Sequence, residues 1–405
     1  MNRETVVNRG TGTIRVLHLF SNHKVTGPAE LALDTSRAVE RSANGVTVES
    51  HFLPGRHPRD PFWIGDLAQE RQARLVELPG LRLTKHFNPF RAIRDGRILA
   101  RYLDSSGIDL VHCHLQNDHV IASLAVAGLP SQRRPVLVRT VYDDEPMVRG
   151  WRIRRTLGRY ADRIVCFSAA CRERLINGPV DIPSERVVLL DAPIDVRRFD
   201  PRRKSTLPDG RRALGIEPTT FTAGIVARMQ THRRFEILLE AIQRARVELP
   251  GFRFIIIGRG THQAKVARNP VREMGLDDTV VFAGYVSGDD YVATLMAMDV
   301  KVFLVPGSDG TCRAVREALA SAIPVIAADR GMLPAIVEDG ITGRIVEDTP
   351  EKLAAALVAL ARDRSTLEEM SHRARERAVE RFGYERYARE LVDIYRGVLD
   401  ERSSR

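Results

Sequence analysis

The residues from Pro306 to Glu317, PGSDGTCRAVRE, place acidic, glycine and hydroxyl residues where a strand-like run gives way to a helix-like run. Several backbone N–H groups would then lie at a helix N-terminus, where unpaired donors and the helix dipole both favour an anion. Glycine in such a loop lets a phosphate or a sugar approach the backbone closely. The stretch predicts an anion site built from the N–H groups of Gly310, Thr311, Cys312 and Arg313.

Two carboxylates accompany this predicted anion site. Asp309 is not expected to bind a phosphate, because like charges repel, and its natural partner is a hydroxyl group of a sugar ring. Glu317 lies about one helical turn past the helix start, where it would accept hydrogen bonds from the hydroxyl pair of a ribose. Two alternatives stay open: Asp309 stabilises the helix N-terminus, or Glu317 lies on a solvated helix face.

Two arginines follow another strand-like run, in AGIVARMQTHRRFEILLEA at residues 223–241. Arg228 ends the apolar run, and Arg233 lies five residues further on, near the predicted start of a helix. Two guanidinium groups beside one loop can hold a pyrophosphate by paired hydrogen bonds. The alternative is a basic surface turn with no ligand.

His112 and His114 lie two residues apart in the run IDLVHCH, so they would point to the same face of a strand. Such a pair can bind a metal, but no carboxylate cluster with ligand spacing completes a site around it. We therefore predict no metal site, and we expect His112 to be a core histidine.

The elements that must position these residues alternate in type along the chain. Apolar runs of strand length are separated by runs with helical periodicity, which is typical of βαβ units with parallel sheets. The strands are predicted at 14–20, 46–54, 108–114, 135–142, 163–168, 185–193, 220–228, 252–260, 279–286, 300–306, 323–328 and 343–347. The helices are predicted at 31–42, 118–127, 169–176, 235–249, 314–322 and 384–399.

A stretch rich in proline, glycine and charge at 195–215 predicts a domain boundary. We expect an α/β protein with two doubly wound Rossmann-like domains and a cleft between them. The first would span 13–195, with the helix 382–400 crossing back to it, and the second would span 196–381. Ligands in such sheets bind outside the carboxyl ends of the strands, which is where the residues described above lie.

The bulk composition is that of a soluble protein with a full core. Of the 405 residues, 43% are hydrophobic and 28% are charged, and the net charge of +10 favours phosphorylated substrates, anionic lipids or nucleic acid as partners. No apolar run is long enough for a transmembrane helix, and the N-terminus has no apolar signal core. The four cysteines show no C-x-x-C pairing, so we expect reduced thiols in a cytoplasmic protein.

The second half resembles the donor-binding domain of family 4 glycosyltransferases, which have the GT-B fold. Asp309 and Glu317 match that family's E-x7-E pair, and the following residues, EALASAIPVIAADRGMLPAIVEDGITGRIV, resemble E-A-M-A-x-G-x-P-V-I-A…E-x-V-x-D-G-x-x-G-x-L-V. Arg228 and Arg233 match the arginine and lysine of the G-R-L-x-x-x-K-G turn. Gly258, at the end of a strand, and Tyr285 and Val286, in GYV, match positions near the donor and its base.

The first half fits the same family. The run LHLFSNHKVTGPAELAL resembles its first glycine loop, DLVHCH resembles D-x-V-H-x-H, and RYADRIVCFS resembles A-D-x-v-x-x-x-S. The resemblance implies that Gly27, Pro28 and Glu30 form an acceptor or phosphate loop. It also implies that His114 lies near the acceptor and the reacting carbon.

The sequence departs from the family pattern at several positions. The first acidic residue is Asp309 instead of glutamate, and the G-F-G that usually follows is Gly310, Thr311, Cys312. The lysine of the arginine-lysine pair is Arg233. These changes bear on the identity of the donor sugar more than on the class of reaction.

The resemblance implies a retaining transfer of a hexose-type sugar from a UDP- or GDP-sugar to a hydroxyl of a glycan or a lipid-linked acceptor. Such a reaction belongs to the biosynthesis of cell-surface polysaccharide, lipopolysaccharide or glycolipid. Arg228, Arg233 and the helix N-terminus after Gly310 would stabilise the leaving diphosphate, so no metal or other cofactor is expected. Closure of the domains about 195–215 would exclude water.

A basic segment at 149–163, RGWRIRRTLGRYADR, groups six arginines around Trp151 and Leu157, and QRRP at 132–135 adds to the charge. A basic helix with apolar residues can lie on an anionic membrane, which predicts a peripheral position on the inner membrane face. The alternative is a solvated basic helix.

Three other functions stay open at this point. One is a nucleotide-sugar 2-epimerase on the same fold, which would form an epimerised product without any acceptor. Another is a non-catalytic nucleotide-sugar-binding subunit, suggested by Asp309 and the changed G-F-G. The third, a nucleic-acid binder, rests on charge alone and has no supporting motif.

Overall fold

Short apolar runs in this chain form strands, and the amphipathic runs between them form the helices that cover the resulting sheets. The structure is a computed structural model that describes residues 12–42, 45–56, 63–142, 151–178, 182–306 and 311–404, with only the backbone described at 151–154. The strands are β1 (Ile14–Phe20), β2 (Val48–Pro54), β3 (Arg74–Leu75), β4 (Leu110–Cys113), β5 (Val136–Val141), β6 (Arg163–Cys166), β7 (Val187–Leu189), β8 (Thr222–Val226), β9 (Arg253–Ile257), β10 (Val280–Gly284), β11 (Val300–Phe303), β12 (Val325–Ala328) and β13 (Gly343–Val346).

The helices alternate with these strands in both halves of the chain. They are α1 (Gly27–Glu40), α2 (Ile64–Glu70), α3 (Pro89–Ser106), α4 (Gln116–Ala127), α5 (Trp151–Tyr160), α6 (Ala169–Ile176), α7 (Gly210–Ala213), α8 (Phe235–Glu248), α9 (Asn269–Glu273), α10 (Gly288–Leu295), α11 (Arg313–Ala320), α12 (Leu333–Ile336), α13 (Pro350–Arg362), α14 (Arg364–Phe382) and α15 (Tyr384–Ser403).

The strands form two sheets in which every pair of neighbouring strands is parallel. The first sheet has the order β3-β2-β1-β4-β5-β6-β7, and the second has the order β10-β9-β8-β11-β12-β13. In each sheet, the chain first adds strands on one side of the initial strand and then adds strands on its other side. The place where this order reverses is the topological switch point of the sheet. The switch point lies between β1 and β4 in the first sheet and between β8 and β11 in the second, which is where doubly wound sheets bind ligands.

The chain divides into two compact units. The first contains residues up to Pro193 and from Tyr384 onward, and the second runs from Ile194 to Gly383. Helix α15 packs with the first unit: Tyr387, Leu391 and Tyr395 lie in one buried cluster with residues of the first sheet.

Several predicted elements coincide with the observed ones, including β1 and α6. Others differ at their ends. Helix α1 begins at Gly27, before the predicted start at residue 31, because Pro28 is pre-organised for the first turn of a helix. Helix α3 was not predicted, since Asp95 and Gly96 occupy two of its buried positions and interrupt the apolar pattern.

The segment 195–215 is not the loose linker that its composition predicts. Phe199 is buried in a core cluster of the second unit, and Arg203 pairs with Asp289 at 3.0 Å. Proline and charged residues here form short helical turns that pack on the second unit. The boundary between the units lies before this segment, at Pro193 and Ile194.

Candidate functional site

The loops that follow β8 and β11 meet at the carboxyl edge of the second sheet, because β8 and β11 are neighbouring strands. The guanidinium of Arg233 connects them, since its Nη1 donates to the carbonyl oxygens of Val305 (2.9 Å) and Pro306 (3.3 Å). Arg228 lies on the same loop with an exposed side chain, and it makes no ion pair with the residues that the structure describes. One predicted arginine is therefore presented to solvent, and the other is held against the backbone of the second loop.

The predicted anion site is only partly described. Asp309 and Gly310 lie outside the described residues, so their roles stay predictions. Thr311 and Cys312 are buried, and the backbone of Cys312 has the left-handed angles φ 42° and ψ 42° immediately before α11 begins. This conformation directs the chain into the helix, so α11 begins at Arg313, close after the end of β11.

Glu317 lies inside the second unit, with 4% of its surface exposed. Its carboxylate accepts hydrogen bonds from the Arg313 Nε (2.8 Å) and from the hydroxyl of Tyr291. Burial, and then the charge of Glu317, raises the pKa of Tyr291, so this hydroxyl stays a donor. The alternative of a solvated helix face is therefore wrong. A ribose bound by Glu317 would have to share its carboxylate with these donors or replace one of them.

Two buried basic side chains, which were not predicted from the sequence, contact backbone carbonyl groups at the start of α11. The Lys301 Nζ on β11 donates to the carbonyl oxygen of Ala314 at 2.5 Å, and burial lowers the pKa of Lys301 to about 7. Arg316 lies over the ring of Phe382 at 4.9 Å and donates to the carbonyl of Thr311. The signal in the sequence was a lysine inside an otherwise continuous apolar strand, VKVF.

The loops after β9 and β10 lie at the same edge of the sheet. A side chain at Gly258 would place its Cβ 2.2 Å from the carbonyl oxygen of Ala227, which directly follows β8, so only glycine allows the loops after β8 and β9 to approach each other this closely. The ring of Tyr285 is exposed, and the guanidinium of Arg259 lies 4.5 Å from its centre. Val286 packs against the core instead. Tyr285 therefore has an exposed ring with Arg259 beside it, a neighbour that the sequence did not indicate.

In the first unit, Gly27, Pro28 and Glu30 belong to the first turn of α1 and not to a loop. Glu30 is paired with Arg71, whose Nη2 lies 3.4 Å from it, while Arg71 Nη1 donates to Asp34 at 2.7 Å. The side chain of Glu30 therefore holds α1 and α2 together. At the N-terminus of α1, Gly27 is exposed.

Three histidines cluster beneath the switch point of the first sheet. His18 on β1 and His112 on β4 are partners in the parallel register, and His114 follows on the same face. The His18 Nδ1 lies 2.9 Å from the His114 Nε2, and both ring nitrogens of His112 are hydrogen bonded, to the Tyr395 hydroxyl (2.6 Å) and the Thr140 hydroxyl (2.7 Å). The prediction that His112 is a core histidine is confirmed.

The histidine cluster is neutral at physiological pH. Burial lowers the pKa of His18 to about 3, and burial together with the neighbouring histidines lowers the pKa of His114 and His112 well below the usual value. One potential ligand atom from each ring lies within 4.8 Å of the others. A metal bound there would have to displace Tyr395 or Thr140 from His112, so these contacts describe a hydrogen-bonded network.

Asp118 connects the two loops at this switch point, and the sequence analysis did not identify it. Its carboxylate accepts hydrogen bonds from the backbone N–H groups of His114 (2.9 Å) and Leu115 (2.8 Å) and from the Ser21 hydroxyl (2.8 Å). Burial raises the pKa of Asp118 to about 7, and the charge of the buried Arg139 opposes that rise. Asp118 thereby fixes the backbone that carries His114.

The basic segment predicted at 149–163 is only partly described. Residues 149 and 150 and the side chains of 151–154 lie outside the description. Leu157 is buried in a core cluster, so it is not available to a membrane, which corrects its predicted role. Of the described arginines, Arg155 and Arg159 are exposed, whereas Arg163 pairs with Glu401 on α15.

Two protein-family models match the chain. The one described as Glycosyltransferase Family 4 matches residues 25–198, and the one described as Glycosyl transferases group 1 matches residues 208–377. The chain belongs to the family 4 glycosyltransferases. The predicted resemblance is thereby confirmed for both halves.

Two relatives illustrate the range within this family. The D-inositol 3-phosphate glycosyltransferase of Saccharomonospora viridis is 29% identical over 307 residues, which are 73% of this chain and 66% of that protein. WcaL of Salmonella typhimurium, whose name refers to colanic acid biosynthesis, is 28% identical over 221 residues, which are 52% of this chain and 51% of that protein. The chain thus spans between about half and two thirds of the length of these curated relatives.

The fold is shared with solved protein structures. The crystal structure of Anabaena HepE in complex with UDP has a TM-score of 0.73 at 18% identity, over 97% of this chain and 100% of that one. The same protein in complex with UDP-glucose has a TM-score of 0.70 at 18% identity, with the same coverage of both chains. The predicted fold class, GT-B with two Rossmann-like domains, is confirmed.

None of the helices in the described part of the chain is long and apolar enough to cross a membrane. All four cysteines are buried, and none of them forms a disulfide.

Proposed function

We propose that this chain is a retaining hexosyltransferase that moves a sugar from a nucleoside diphosphate to a hydroxyl of a glycan or lipid-linked acceptor. One observation carries the proposal. The switch point of the second sheet gathers the exposed Arg228, the braced Arg233 and the N-terminus of α11 on neighbouring loops. These groups are the donors that a diphosphate requires, in a family whose members are glycosyltransferases.

The chemistry follows from where negative charge develops. The bond from the anomeric carbon to the diphosphate oxygen breaks, its electron pair stays on the diphosphate, and the acceptor oxygen forms the new bond on the same face. The acceptor proton passes to the departing diphosphate. Arg228, Arg233 and the α11 N–H groups would stabilise this charge by fixed hydrogen bonds, so we propose that no metal is required.

Asp309 and Glu317 are assigned to the sugar and the ribose. For Glu317 the support is a carboxylate placed one turn into α11 and oriented by Arg313 and Tyr291. The base would stack on Tyr285, beside Gly258. His114 is assigned to the acceptor side, and because burial keeps it neutral it would act as a hydrogen-bonding group and not as a charged acid.

We propose UDP as the first nucleotide to test, because HepE, which shares the fold, was solved with UDP and with UDP-glucose. For the acceptor, the relatives point to hydroxyl compounds of two kinds. One relative is named for an inositol phosphate and the other for colanic acid biosynthesis. The name that refers to colanic acid favours a glycan or lipid-linked acceptor, whereas an inositol phosphate is a small soluble acceptor. We propose the first kind, at the inner face of a membrane, with the protein cytoplasmic and peripheral.

The proposal is tested by thermal shift with UDP-, GDP-, ADP- and dTDP-sugars, without and with EDTA. A ligand that binds the native state raises the unfolding temperature. We expect one nucleotide to do so regardless of EDTA, and Arg228→Ala to weaken its binding at least about ten-fold, as for loss of a charge-assisted contact. Arg272→Ala is the matched control, because Arg272 is exposed and lies on α9, outside the loops described above.

An assay of catalytic turnover distinguishes the transferase from an epimerase and from a non-catalytic subunit. Sugar transfer to a glycan or polyprenyl-linked acceptor supports the proposal, and an epimerised sugar nucleotide formed without acceptor would identify an epimerase instead. Tight donor binding without turnover on any acceptor would indicate a non-catalytic subunit. Absence of a thermal shift with every nucleotide, or equal effects of Arg228→Ala and Arg272→Ala, would overturn the proposed site.

A further inference from the structure

Helix α3 presents apolar side chains to solvent at its N-terminal end. It is capped by Asn88, whose side chain accepts a hydrogen bond from the Arg91 N–H at 3.0 Å, so its start is well defined. Phe90 is 84% exposed, Phe87 just before the helix is 60% exposed, and Ile93 one turn later is 46% exposed. These three residues lie within seven positions of one another. Elsewhere in the described chain, the large apolar side chains that are exposed are scattered.

The same face of α3 is strongly basic. Arg94, Arg97 and Arg101 follow Phe90 along the exposed side of the helix. We call these six residues, Phe87, Phe90, Ile93, Arg94, Arg97 and Arg101, the α3 outer face. Three further cations, Arg82, Lys85 and Arg91, are exposed around it.

Acidic residues are scarce around these cations, and the one nearby carboxylate, that of Asp95, interacts electrostatically with Arg91 and Arg94. Asp95 is the only acidic residue between positions 79 and 103, and it is buried, where it accepts a hydrogen bond from the Leu83 N–H at 3.1 Å. None of the exposed cations of this region forms an ion pair within 4 Å in the described chain. By contrast, exposed arginines on α14 are paired with glutamates one turn away, such as Arg373 with Glu376 at 3.0 Å. The positive charge of α3 is therefore directed outward.

A groove of about 510 Å³ separates α3 from the turn at Pro79 and Gly80. Arginine side chains and apolar side chains line it together, and the arginines are those of the α3 outer face. A guanidinium binds a phosphate through paired hydrogen bonds, while the apolar lining suits the first carbons of an acyl chain. The groove therefore matches the headgroup end of an anionic phospholipid better than a free anion, which would leave its apolar lining unused.

We propose that the α3 outer face docks this protein on an anionic lipid bilayer. Phe87 and Phe90 enter the headgroup region, and the arginines contact lipid phosphates, as amphipathic helices do at membrane surfaces. A bilayer is favoured over a folded protein partner because a few isolated apolar side chains can insert into it, whereas a stable protein interface needs an extended complementary surface. The proposal does not rest on the donor chemistry, and it uses different residues from the segment 149–163.

The test is flotation of the full chain with phosphatidylcholine vesicles and with vesicles that also contain phosphatidylglycerol. We expect partitioning onto the anionic vesicles, at least about ten-fold less onto the neutral ones, and loss at high salt. The double variant Phe87→Ser with Phe90→Ser should reduce partitioning at least about ten-fold, since it removes the inserted side chains. Its matched control is Val247→Ser, because Val247 is 78% exposed on α8 of the second unit.

The charge component is tested separately. The triple variant Arg94→Gln, Arg97→Gln, Arg101→Gln should also lose at least about ten-fold in partitioning onto anionic vesicles. A control of equal net charge replaces the exposed arginines of the second unit, Arg212, Arg272 and Arg362, by glutamine. If the two triple variants bind equally, the effect is one of net charge and the proposed surface is wrong.

Insertion has a spectroscopic readout. Tryptophan at position 90, in Phe90→Trp, should gain fluorescence that brominated lipids quench, whereas Val247→Trp should not. Equal partitioning onto neutral and anionic vesicles, or binding to heparin in place of vesicles, would overturn the proposal. Nucleotide-induced thermal shifts measured on the same variants should be unchanged, so a failure of this proposal is distinguishable from a failure of the proposed transferase function.

Discussion

Three residues other than glycine hold a left-handed backbone in the second unit at positions where the family 4 motifs have glycine. Arg234 has φ 57°, Cys312 has φ 42° and Ala322 has φ 57°. They align with the last residue of G-R-L-x-x-x-K-G, the last residue of G-F-G and the glycine of E-A-M-A-x-G-x-P. A left-handed conformation costs a residue with a side chain about 1–2 kcal/mol. All three positions therefore adopt the conformation that glycine favours, although each carries a side chain.

This strain can be relieved by one substitution. Ala322→Gly removes a single methyl group at a half-buried position, and we expect it to stabilise the second unit by about 1 kcal/mol, or about 2–4 °C in Tm. Ala361→Gly is the matched control, because Ala361 is also half-buried but lies in helix α13. There glycine should lower stability by about 0.5–1 kcal/mol. Thermal unfolding of both variants checks the prediction, and a loss of stability in Ala322→Gly would contradict it.

Helix α15 is held against the first sheet by a buried polar contact as well as by apolar packing. The Tyr395 hydroxyl lies 2.6 Å from the His112 Nδ1, and the Thr140 hydroxyl satisfies the other ring nitrogen. Tyr395→Phe leaves the His112 Nδ1 buried without a partner, which should cost about 1–3 kcal/mol. Urea unfolding of the first unit measures this cost. Tyr102→Phe is the control, since Tyr102 is half-buried on α3 and its hydroxyl has no hydrogen-bond partner in the described chain. If both variants lose the same free energy of unfolding, the contact between Tyr395 and His112 does not stabilise the first unit.

Elements with an unbroken apolar period could be predicted from the sequence, and those with functional or polar insertions could not. Strand β1 was predicted with its observed ends because IRVLHLF is almost wholly buried. Helix α3 was missed, since Asp95 and Gly96 sit on its buried side, where the first holds a loop and the second lies close to Leu124 of α4. Local periodicity carries no information on such tertiary contacts.

The residues of the candidate site also divide into those that could be predicted from the sequence and those that could not. The arginine loop after β8 could be predicted because charge follows directly on an apolar strand. The contact of His18 with His112 and His114 could not be predicted, because it depends on the pairing of β1 with β4, which are separated by about ninety residues. The pairs Tyr291–Glu317 and Ser21–Asp118 were missed for the same reason.

On the scale of the whole molecule, the first unit is discontinuous in sequence, because its last helix comes from the C-terminal end of the chain. Its core mixes residues of the first sheet, such as Val16 and Val138, with Leu391 and Val392 of α15. The second unit is continuous from Ile194 to Gly383 and has core clusters of its own. The two units should therefore differ in whether they fold when separated.

We expect residues 194–383 to fold as an isolated fragment and residues 1–193 to fold only when α15 is supplied. Helix α15 buries six aromatic and apolar residues, each of which stabilises a core by about 1.5–3 kcal/mol when large and fully buried. The sum approaches the whole stability of a typical domain, about 5–15 kcal/mol. Proteolysis and amide dispersion in NMR spectra of the fragments, with and without a peptide of residues 384–405, measure folding. A first fragment that folds alone would show that α15 is dispensable, and a peptide with Leu391→Asp, which charges the buried face of the helix, should fail to rescue it.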